Sequence, residues 1–211
     1  MRRLVACTIM SLDGYVEGPG RNLMALPMDR FFDAYNLERL RAADTLVLGA
    51  TTYTALKAFW PGVARDPRTS PAVAADPGVA DVHRETGQRD DAIDKVVVSD
   101  SLTPADTAPW TDTTTIVRRA DAHRAVAELK TRPGADLLVF GSRTLRDDLL
   151  AAGLVDELHV VVGATVLGGG TPAFGGGGGG PGSVPSLRLA DVRRSAGSDN
   201  VVLVYQTVRR G

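Results

Sequence analysis

The sequence predicts an α/β fold built on a largely parallel sheet. Short, continuous apolar runs bounded by turn-forming residues alternate with segments of helical periodicity, a pattern typical of buried parallel strands joined by helices. Strands are expected at 4–10, 45–49, 95–99, 113–117, 137–140 and 158–162. Helices are expected at 30–43, at 52–59, from the cap at Asp121 to 130, and from the turn at 141–142 to 153. Two last strands, 187–194 and 201–208, predict an antiparallel hairpin that closes one edge of the sheet.

Length and composition indicate a single cytoplasmic domain. The chain has 211 residues, enough to bury a substantial core. Its 24 basic and 25 acidic residues nearly balance, so neither nucleic acid nor a charged membrane surface is indicated as a partner. Cys7 lies in an apolar run and is interpreted as a small buried hydrophobe. The apolar part of the N-terminus is too short for a signal peptide.

Two segments are expected to be flexible excursions from this domain. Residues 61–94 are polar and interrupted by Pro67, Pro71 and Pro77, which favours a long surface excursion with at most one short helix, near 79–86. Residues 168–184 contain a run of six glycines. Such a run favours a surface loop over a phosphate cradle, because a phosphate site needs a fixed backbone.

The turn at Gly141-Ser142 is a candidate anion site. The first N–H groups of a helix have no partner inside it, and the helix dipole leaves partial positive charge there. Gly141 permits a close approach to the backbone, Ser142 and Thr144 offer hydroxyls, and Arg143 offers a guanidinium. The other interpretation is structural, with Gly141 making the turn and Ser142 capping the helix. A second strand-to-helix junction, at 49–52, repeats this chemistry, with Thr51 as a possible cap.

Nine short motifs occur in order along almost the whole chain. They are 11–19, 48–53 with 59–60, 96–99, Trp110, 129–130, 141–142 with Leu145, 153–158, 166–170 and Phe174. In this order they resemble the reductase family of dihydrofolate-reductase fold, in the branch similar to the C-terminal reductase domain of the bifunctional riboflavin-biosynthesis deaminase–reductase. The resemblance implies a mixed sheet of about eight strands with helices on both faces, and a homodimer.

The resemblance also implies NADPH as the cofactor. The residues expected to bind it are Gly49, Thr51 and Thr52 at one helix start, Gly141, Ser142, Arg143, Thr144 and Leu145 at the other, and Ser99 beside the adenosine ribose. Relatives usually carry an arginine within 49–51 and another after the serine, where this chain has Ala50 and Asp100. A carboxylate beside the ribose favours NADH, so NADH is possible too. Arg118 or Arg119 could restore the missing charge; the alternative is that both are solvated.

The substrate side is implied by the same resemblance. Val16, Leu167, Gly168 and Glu157 are expected to bind the substrate or to close the nicotinamide end, and Asp13 and Glu17 are the catalytic candidates. Reduction of a C=N or C=O bond needs a proton as well as a hydride, and a carboxylic acid can supply it. An Asp-Gly turn explains Asp13 equally well without catalysis. The alternative for Glu17 is a side chain that faces solvent.

The function expected from these features is hydride transfer from NAD(P)H to a small, heterocyclic, pteridine- or pyrimidine-like substrate. The alternatives are a nucleotide-binding protein without turnover and a purely structural dimeric module. Acidic residues and histidines are scattered without metal-ligand spacing, and no nucleophile elbow is present. Metalloenzyme and hydrolase functions are therefore not indicated.

Overall fold

The computed structural model describes residues 1–175 and 186–208. The strands are β1 (Leu4–Ser11), β2 (Tyr15–Glu17), β3 (Ala43–Gly49), β4 (Asp94–Val98), β5 (Thr114–Val117), β6 (Asp136–Phe140), β7 (Glu157–Gly163), β8 (Thr171–Pro172), β9 (Ser186–Arg193) and β10 (Val201–Val208). The α-helices are α1 (Arg30–Ala42), α2 (Ala50–Arg65), α3 (Pro71–Ala75), α4 (Ala80–Ala92), α5 (Ala122–Thr131) and α6 (Arg143–Ala151).

Eight strands form one mixed sheet in the order β5-β4-β3-β6-β1-β7-β10-β9. The pairs β3–β4, β4–β5, β3–β6 and β1–β7 are parallel, whereas β10 pairs antiparallel with β7 and β9. This confirms the predicted mostly parallel sheet with a C-terminal hairpin. The predicted strands match the observed ones within two residues at either end, which is the ordinary uncertainty of element boundaries.

Apolar burial explains why the parallel strands were recognisable. Successive residues of a strand point to opposite faces, yet residues 4–9 of β1 are all buried, as are Leu46, Val47 and Leu48 of β3. Both faces of these strands are therefore covered, which requires a continuous apolar run rather than alternation. By contrast, β9 is exposed along nearly its whole length.

The expectation for residues 61–94 is wrong in one respect, because the segment is largely helical. The helix α2 continues to Arg65, and α3 and α4 follow, with short 3₁₀ turns at Pro67–Thr69 and Pro77–Val79. Each of Pro67, Pro71 and Pro77 occupies the first turn of a helix, where the N–H that proline lacks has no helical partner anyway. The prolines start helices here instead of breaking them.

Residue contacts divide the chain into two compact units, one of Arg3–Phe32 with Val139–Gly211 and one of Asp33–Leu138. The first contains β1, β2, α6, β7, β8, β9 and β10, and the second contains β3, β4, β5 and α2 to α5. The single reductase-like domain stays a prediction. Of the expected excursion at 168–184, residues 168–175 are described and include β8, whereas the glycine run from residue 176 onward lies outside the described residues.

Candidate functional site

The turn before α6, in the first unit, has an unusual backbone. Gly141 has φ +56° and Ser142 has φ +42°, a left-handed conformation that residues with a Cβ rarely adopt. Helical residues begin directly afterwards at Arg143. A left-handed residue followed by a right-handed one turns successive N–H groups to the same side and makes an anion-binding concavity.

Several potential hydrogen-bond donors lie at the start of α6. The Gly141 N–H donates to the carbonyl of Cys7 at 3.0 Å, and the Ser142 side chain makes no capping hydrogen bond to the helix. Ser142 thus occupies the N-cap position of α6, as the structural interpretation expected, but its side chain does not cap the helix. Backbone N–H groups of the first turn, with the half-buried Arg143 beside them, form a donor set that fits a phosphate or pyrophosphate. Thr144 is exposed there, and the side chain of Leu145 is buried.

In the same unit, Asp13 holds the loop that follows β7. Its carboxylate accepts hydrogen bonds from the N–H groups of Leu167 at 3.0 Å and Gly168 at 2.7 Å. The Ser11 hydroxyl, followed by these backbone donors, lowers the pKa of Asp13 to about 2. Asp13 is thus ionised at neutral pH and acts as an acceptor, which argues against a role as proton donor. Three of the predicted site residues do lie together.

Glu17 and Val16 belong to a small antiparallel ribbon formed by β2 and β8. The Thr171 hydroxyl donates to the Glu17 carboxylate at 3.0 Å, and Val16 is half-buried between the paired positions of β2. Gly170 approaches the strand so closely that a Cβ there would lie 2.0 Å from the Glu17 carbonyl oxygen. Glu17 is therefore held in place by both its side chain and its backbone.

Glu157 lies at the start of β7, far along the strand from the Asp13 turn. It is the first residue of β7 and is paired with Val5, whereas Asp13 follows the far end of β1, where Ser11 pairs with Gly163. Its carboxylate lies 3.0 Å from Arg3 Nη1 and 3.1 Å from Nε2 of the buried His159. Glu157 and the Asp13 turn thus lie at opposite ends of the β1–β7 pair. The expected role of Glu157 in substrate binding stays a prediction, because strand alternation says which face a residue shares but not which end of the sheet binds ligand.

In the second unit, the helix start at α2 differs from that at α6. Gly49 is the N-cap and has an extended backbone with φ −82°, so Thr51 is not the cap as expected. Thr51 is exposed and Thr52 half-buried in the first turn of the helix. Their roles in cofactor binding stay predictions.

Two arginines surround Asp100 at the ends of β4 and β5. The Arg119 N–H donates to the Asp100 carboxylate at 2.9 Å, with Arg119 Nε 3.6 Å away, and Arg118 Nη1 donates to the Asp100 carbonyl at 2.5 Å. The neighbouring Ser99 hydroxyl accepts from the N–H groups of Ser101 and Leu102. The Asp100 carboxylate thus has cationic neighbours, and Ser99 stabilises its own loop.

A pocket of about 300 Å³ in the second unit is separate from these positions. It is lined by Leu40, Ala43, Asp44, Arg89, Ala92, Ile93 and Asp94. Asp44 and Asp94 lie where β3 and β4 begin, whereas ligands of parallel sheets bind beyond the carboxyl ends of the strands. It is therefore not a candidate for the cofactor.

Residues 1–175 and 186–208 contain neither a metal-binding cluster nor a membrane-spanning helix. Within these ranges no group of three or more His, Cys, Asp and Glu side chains is arranged to hold a metal ion. Among the same residues no helix has the length and hydrophobicity needed to cross a membrane.

Sequence reasoning missed Arg146, which is completely buried on α6. A signal was present, because Arg146 is spaced three and four residues before Leu149 and Leu150 and so lies on the apolar face of the helix.

Comparison with known structures supports the fold. A pyrimidine reductase-like protein from Corynebacterium diphtheriae is 19% identical with a TM-score of 0.59, covering 99% of this chain and 93% of that one. A diaminohydroxyphosphoribosylaminopyrimidine deaminase/5-amino-6-(5-phosphoribosylamino)uracil reductase from Thermotoga maritima is 14% identical with a TM-score of 0.63, covering 98% of this chain and 57% of that one. A dihydrofolate reductase from Enterococcus faecalis, complexed with NADP(H), is 13% identical with a TM-score of 0.52, covering 97% and 96%.

Family membership rests on the sequence itself. No sequence among the curated proteins matches this chain. The profile of the family described as RibD C-terminal domain, however, matches residues 2–203, nearly the whole chain. This family implies an oxidoreductase that uses a nicotinamide cofactor and a small-molecule substrate. The chain belongs to the RibD C-terminal domain family.

Proposed function

We propose that this protein is an NAD(P)H-dependent reductase of a small pyrimidine- or pteridine-like heterocycle. The observation that carries the proposal is the left-handed turn at Gly141 and Ser142, which builds an anion site at the start of α6 in a chain of this family. The names of the Corynebacterium and Thermotoga proteins support a pyrimidine as the substrate class.

Different residues of the first unit are assigned to anion binding and to positioning of the substrate-side loop. When bound, a reduced nicotinamide supplies a hydride. We assign anion binding to the N–H groups of Arg143, Thr144 and Leu145, assisted by the Arg143 guanidinium. Asp13 keeps Leu167 and Gly168 in one conformation, which fixes the wall of the substrate side before binding and lowers the entropy cost of positioning.

The proton requires a different group from Asp13. A carboxyl with a pKa of about 2 is almost wholly ionised at neutral pH and holds no proton to give. We propose that an ordered water donates the proton and that Glu17, whose carboxylate is anchored by the Thr171 hydroxyl, orients this water. Asp13 is then a positioning residue.

For the cofactor we propose NADPH. The sequence argument for NADH was that the Asp100 carboxylate would repel a 2′-phosphate. Since Arg119 and Arg118 contact Asp100, the local charge of these three residues is positive. A positive cluster attracts a phosphate monoester, so Arg119 is the candidate that favours NADPH over NADH.

The experiment that tests cofactor binding is a titration of the purified protein with NADPH and with NADH, followed by nicotinamide fluorescence. We expect a micromolar Kd for NADPH, weakened about ten-fold or more in Arg143→Ala by the loss of a charge-assisted hydrogen bond. Arg124→Ala, on the exposed face of α5, is the matched control and keeps the wild-type Kd. If neither nucleotide binds, the reductase assignment is wrong.

Turnover is tested separately, with 5-amino-6-(5-phosphoribosylamino)uracil as the first substrate because the Thermotoga protein is named for it. Oxidation of NADPH that depends on this compound supports the proposal. Tight NADPH binding with no oxidation across a panel of pyrimidines and pteridines would instead favour a nucleotide-binding protein without turnover. The homodimer that the resemblance implies and the cytoplasmic location expected from the sequence stay predictions.

A further inference from the structure

Arg146 is a buried cation that joins α6 to the segment after β8. Its Nε and Nη2 donate to the Asp147 carboxylate at 3.0 and 2.7 Å, and Nη2 also donates to the carbonyl of Ala173. The guanidinium lies over the Phe174 ring, 4.7 Å from its centroid. One side chain from the second turn of the helix thus contacts two successive residues of the distant segment.

Ala173 connects Arg146 by hydrogen bonds to the turn that contains Asp13. While its carbonyl accepts from Arg146, its N–H donates to the carbonyl of Gly14 at 2.7 Å. The adjacent Asp13 holds the N–H groups of Leu167 and Gly168. A continuous path of hydrogen bonds therefore runs from α6 through Ala173 and the Asp13-Gly14 turn to the 167–168 loop.

The protein does not gain stability from this arrangement in any obvious way. Arg146 is fully buried and has one carboxylate partner, and burial lowers the pKa of Arg146. Among the residues that the structure describes, its Nη1 finds no acceptor. Buried ion pairs with incomplete hydrogen bonding are often no better for stability than apolar side chains of the same size. A residue that breaks the apolar pattern of a helix face in this way commonly has a functional reason.

We propose that Arg146 is a positioning residue that fixes the 167–174 segment against α6, so that the substrate-side loop and the anion-binding helix start keep one relative geometry. Its place in the reaction rests on the proposed function, whereas the mechanical link does not. Because Arg146 is completely buried, we assign it no contact with cofactor or substrate. Substitution of Arg146 is therefore expected to disturb the orientation of the reacting groups. Such a disturbance lowers kcat more than it weakens cofactor affinity.

The link is tested by amide hydrogen exchange on the protein without cofactor. In Arg146→Met, the 167–174 segment can open without breaking the Arg146 contacts. We therefore expect the Leu167 and Gly168 amides to exchange about ten-fold faster, with the Val160 and Val161 amides of β7 as the internal reference. Asp147→Asn is the matched control, since it disrupts the same buried ion pair but leaves the Arg146 bond to Ala173. Arg146→Lys keeps the buried charge and covers the case in which the Met variant does not fold; about three-fold faster loop exchange is expected there.

Two results would overturn the inference. One is wild-type exchange of Leu167 and Gly168 in both Arg146 variants. The other is an equally large increase of exchange in Asp147→Asn, which would make the effect one of general destabilisation.

In turnover assays we expect kcat of Arg146→Lys to fall about ten-fold while the NADPH Kd changes less than about three-fold. Absence of NADPH binding in the wild type would refute the proposed function but leave the exchange result standing.

Discussion

Asp13 illustrates how one residue's role depends on its partners. By itself, an aspartate before a glycine is either a turn former or a catalytic acid, and nothing local distinguishes the two. The partners that decide the matter, Leu167 and Gly168, are more than 150 positions away along the chain. They make Asp13 an ionised acceptor at any pH where the enzyme would work.

Asp13→Asn is therefore expected to weaken the loop without removing a titrating catalytic group. The pKa of Asp13 is lowered from its ordinary value of 3.8 to about 2. The charge-assisted hydrogen bonds of its carboxylate are therefore fully present above about pH 3.8 and are lost only as the pH falls through about 2. We expect the pH profile of kcat to keep its shape between about pH 5 and 9, with a loss of about ten-fold or less in magnitude. If the variant instead loses an ionisation from that profile, Asp13 is the acid. Asp112→Asn, at an exposed position, is the control.

At the scale of elements, the ribbon of β2 and β8 depends on one glycine. Gly170 combines a φ of +135° with backbone so close to Glu17 that a Cβ cannot be accommodated without movement of the main chain. The neighbouring Gly169 has open space around the same position. The two glycines look alike in the sequence and differ only in what lies against them.

This contrast gives a paired test. We expect Gly170→Ala to lower the free energy of unfolding by about 2 kcal/mol or more, through backbone strain and steric overlap with Glu17. Gly169→Ala is expected to change it by less than about 0.5 kcal/mol. Urea denaturation of both variants provides the measurement. Equal effects would mean that the ribbon does not contribute to stability.

The helices of residues 61–94 show why element prediction failed there. Proline was interpreted as a breaker, but Asp66 and Asp76 accept hydrogen bonds from Arg68 and Gly78 N–H groups, which caps the turns that Pro67 and Pro77 begin. A capping aspartate followed by proline is a start signal for a helix. The Asp-Pro start signal is thus visible in the sequence, but it is hidden when proline is interpreted only as a helix breaker.

For the whole molecule, stability should depend on pH through a buried pair in the second unit. Asp90 and Lys95 are both buried. Burial raises the pKa of Asp90 to about 7 and lowers the pKa of Lys95 to about 8. Between about pH 3.8 and 7, Asp90 is therefore protonated in the folded state and ionised in the unfolded state. Between about pH 8 and 10.5, Lys95 is neutral in the folded state and protonated in the unfolded state.

The free energy of unfolding is therefore expected to fall as the pH rises from about 4 to 7, by a few kcal/mol, and to recover partly between about 8 and 10.5. In Asp90→Asn the fall between about pH 4 and 7 should be absent. Asp81→Asn, at an exposed position of the same helix, keeps the wild-type slope and controls for the loss of a charge. Urea denaturation across this pH range measures both. A wild-type curve that is flat between about 4 and 7 would contradict the assignment.

The alternation of strands and helices, the parallel sheet and the final hairpin were determined by the sequence alone. Parallel strands covered on both faces need continuous apolar runs, and such runs are visible in any one segment without knowledge of the others. The order of the nine motifs along the chain also predicted the family. The start of α6 was also located correctly, since a glycine between a strand and a helix is a local signal.

Only the tertiary structure decided how the candidate site is built. Three features of this site depend on residues far away in the chain. They are the hydrogen bonds of Asp13 to Leu167 and Gly168, the position of Glu157 at the start of β7, and the burial of Arg146. Strand register and loop contacts bring those residues together, and a single sequence records neither. Local pattern therefore specifies the elements, whereas long-range pairing specifies which side chains share a site and what each can do there.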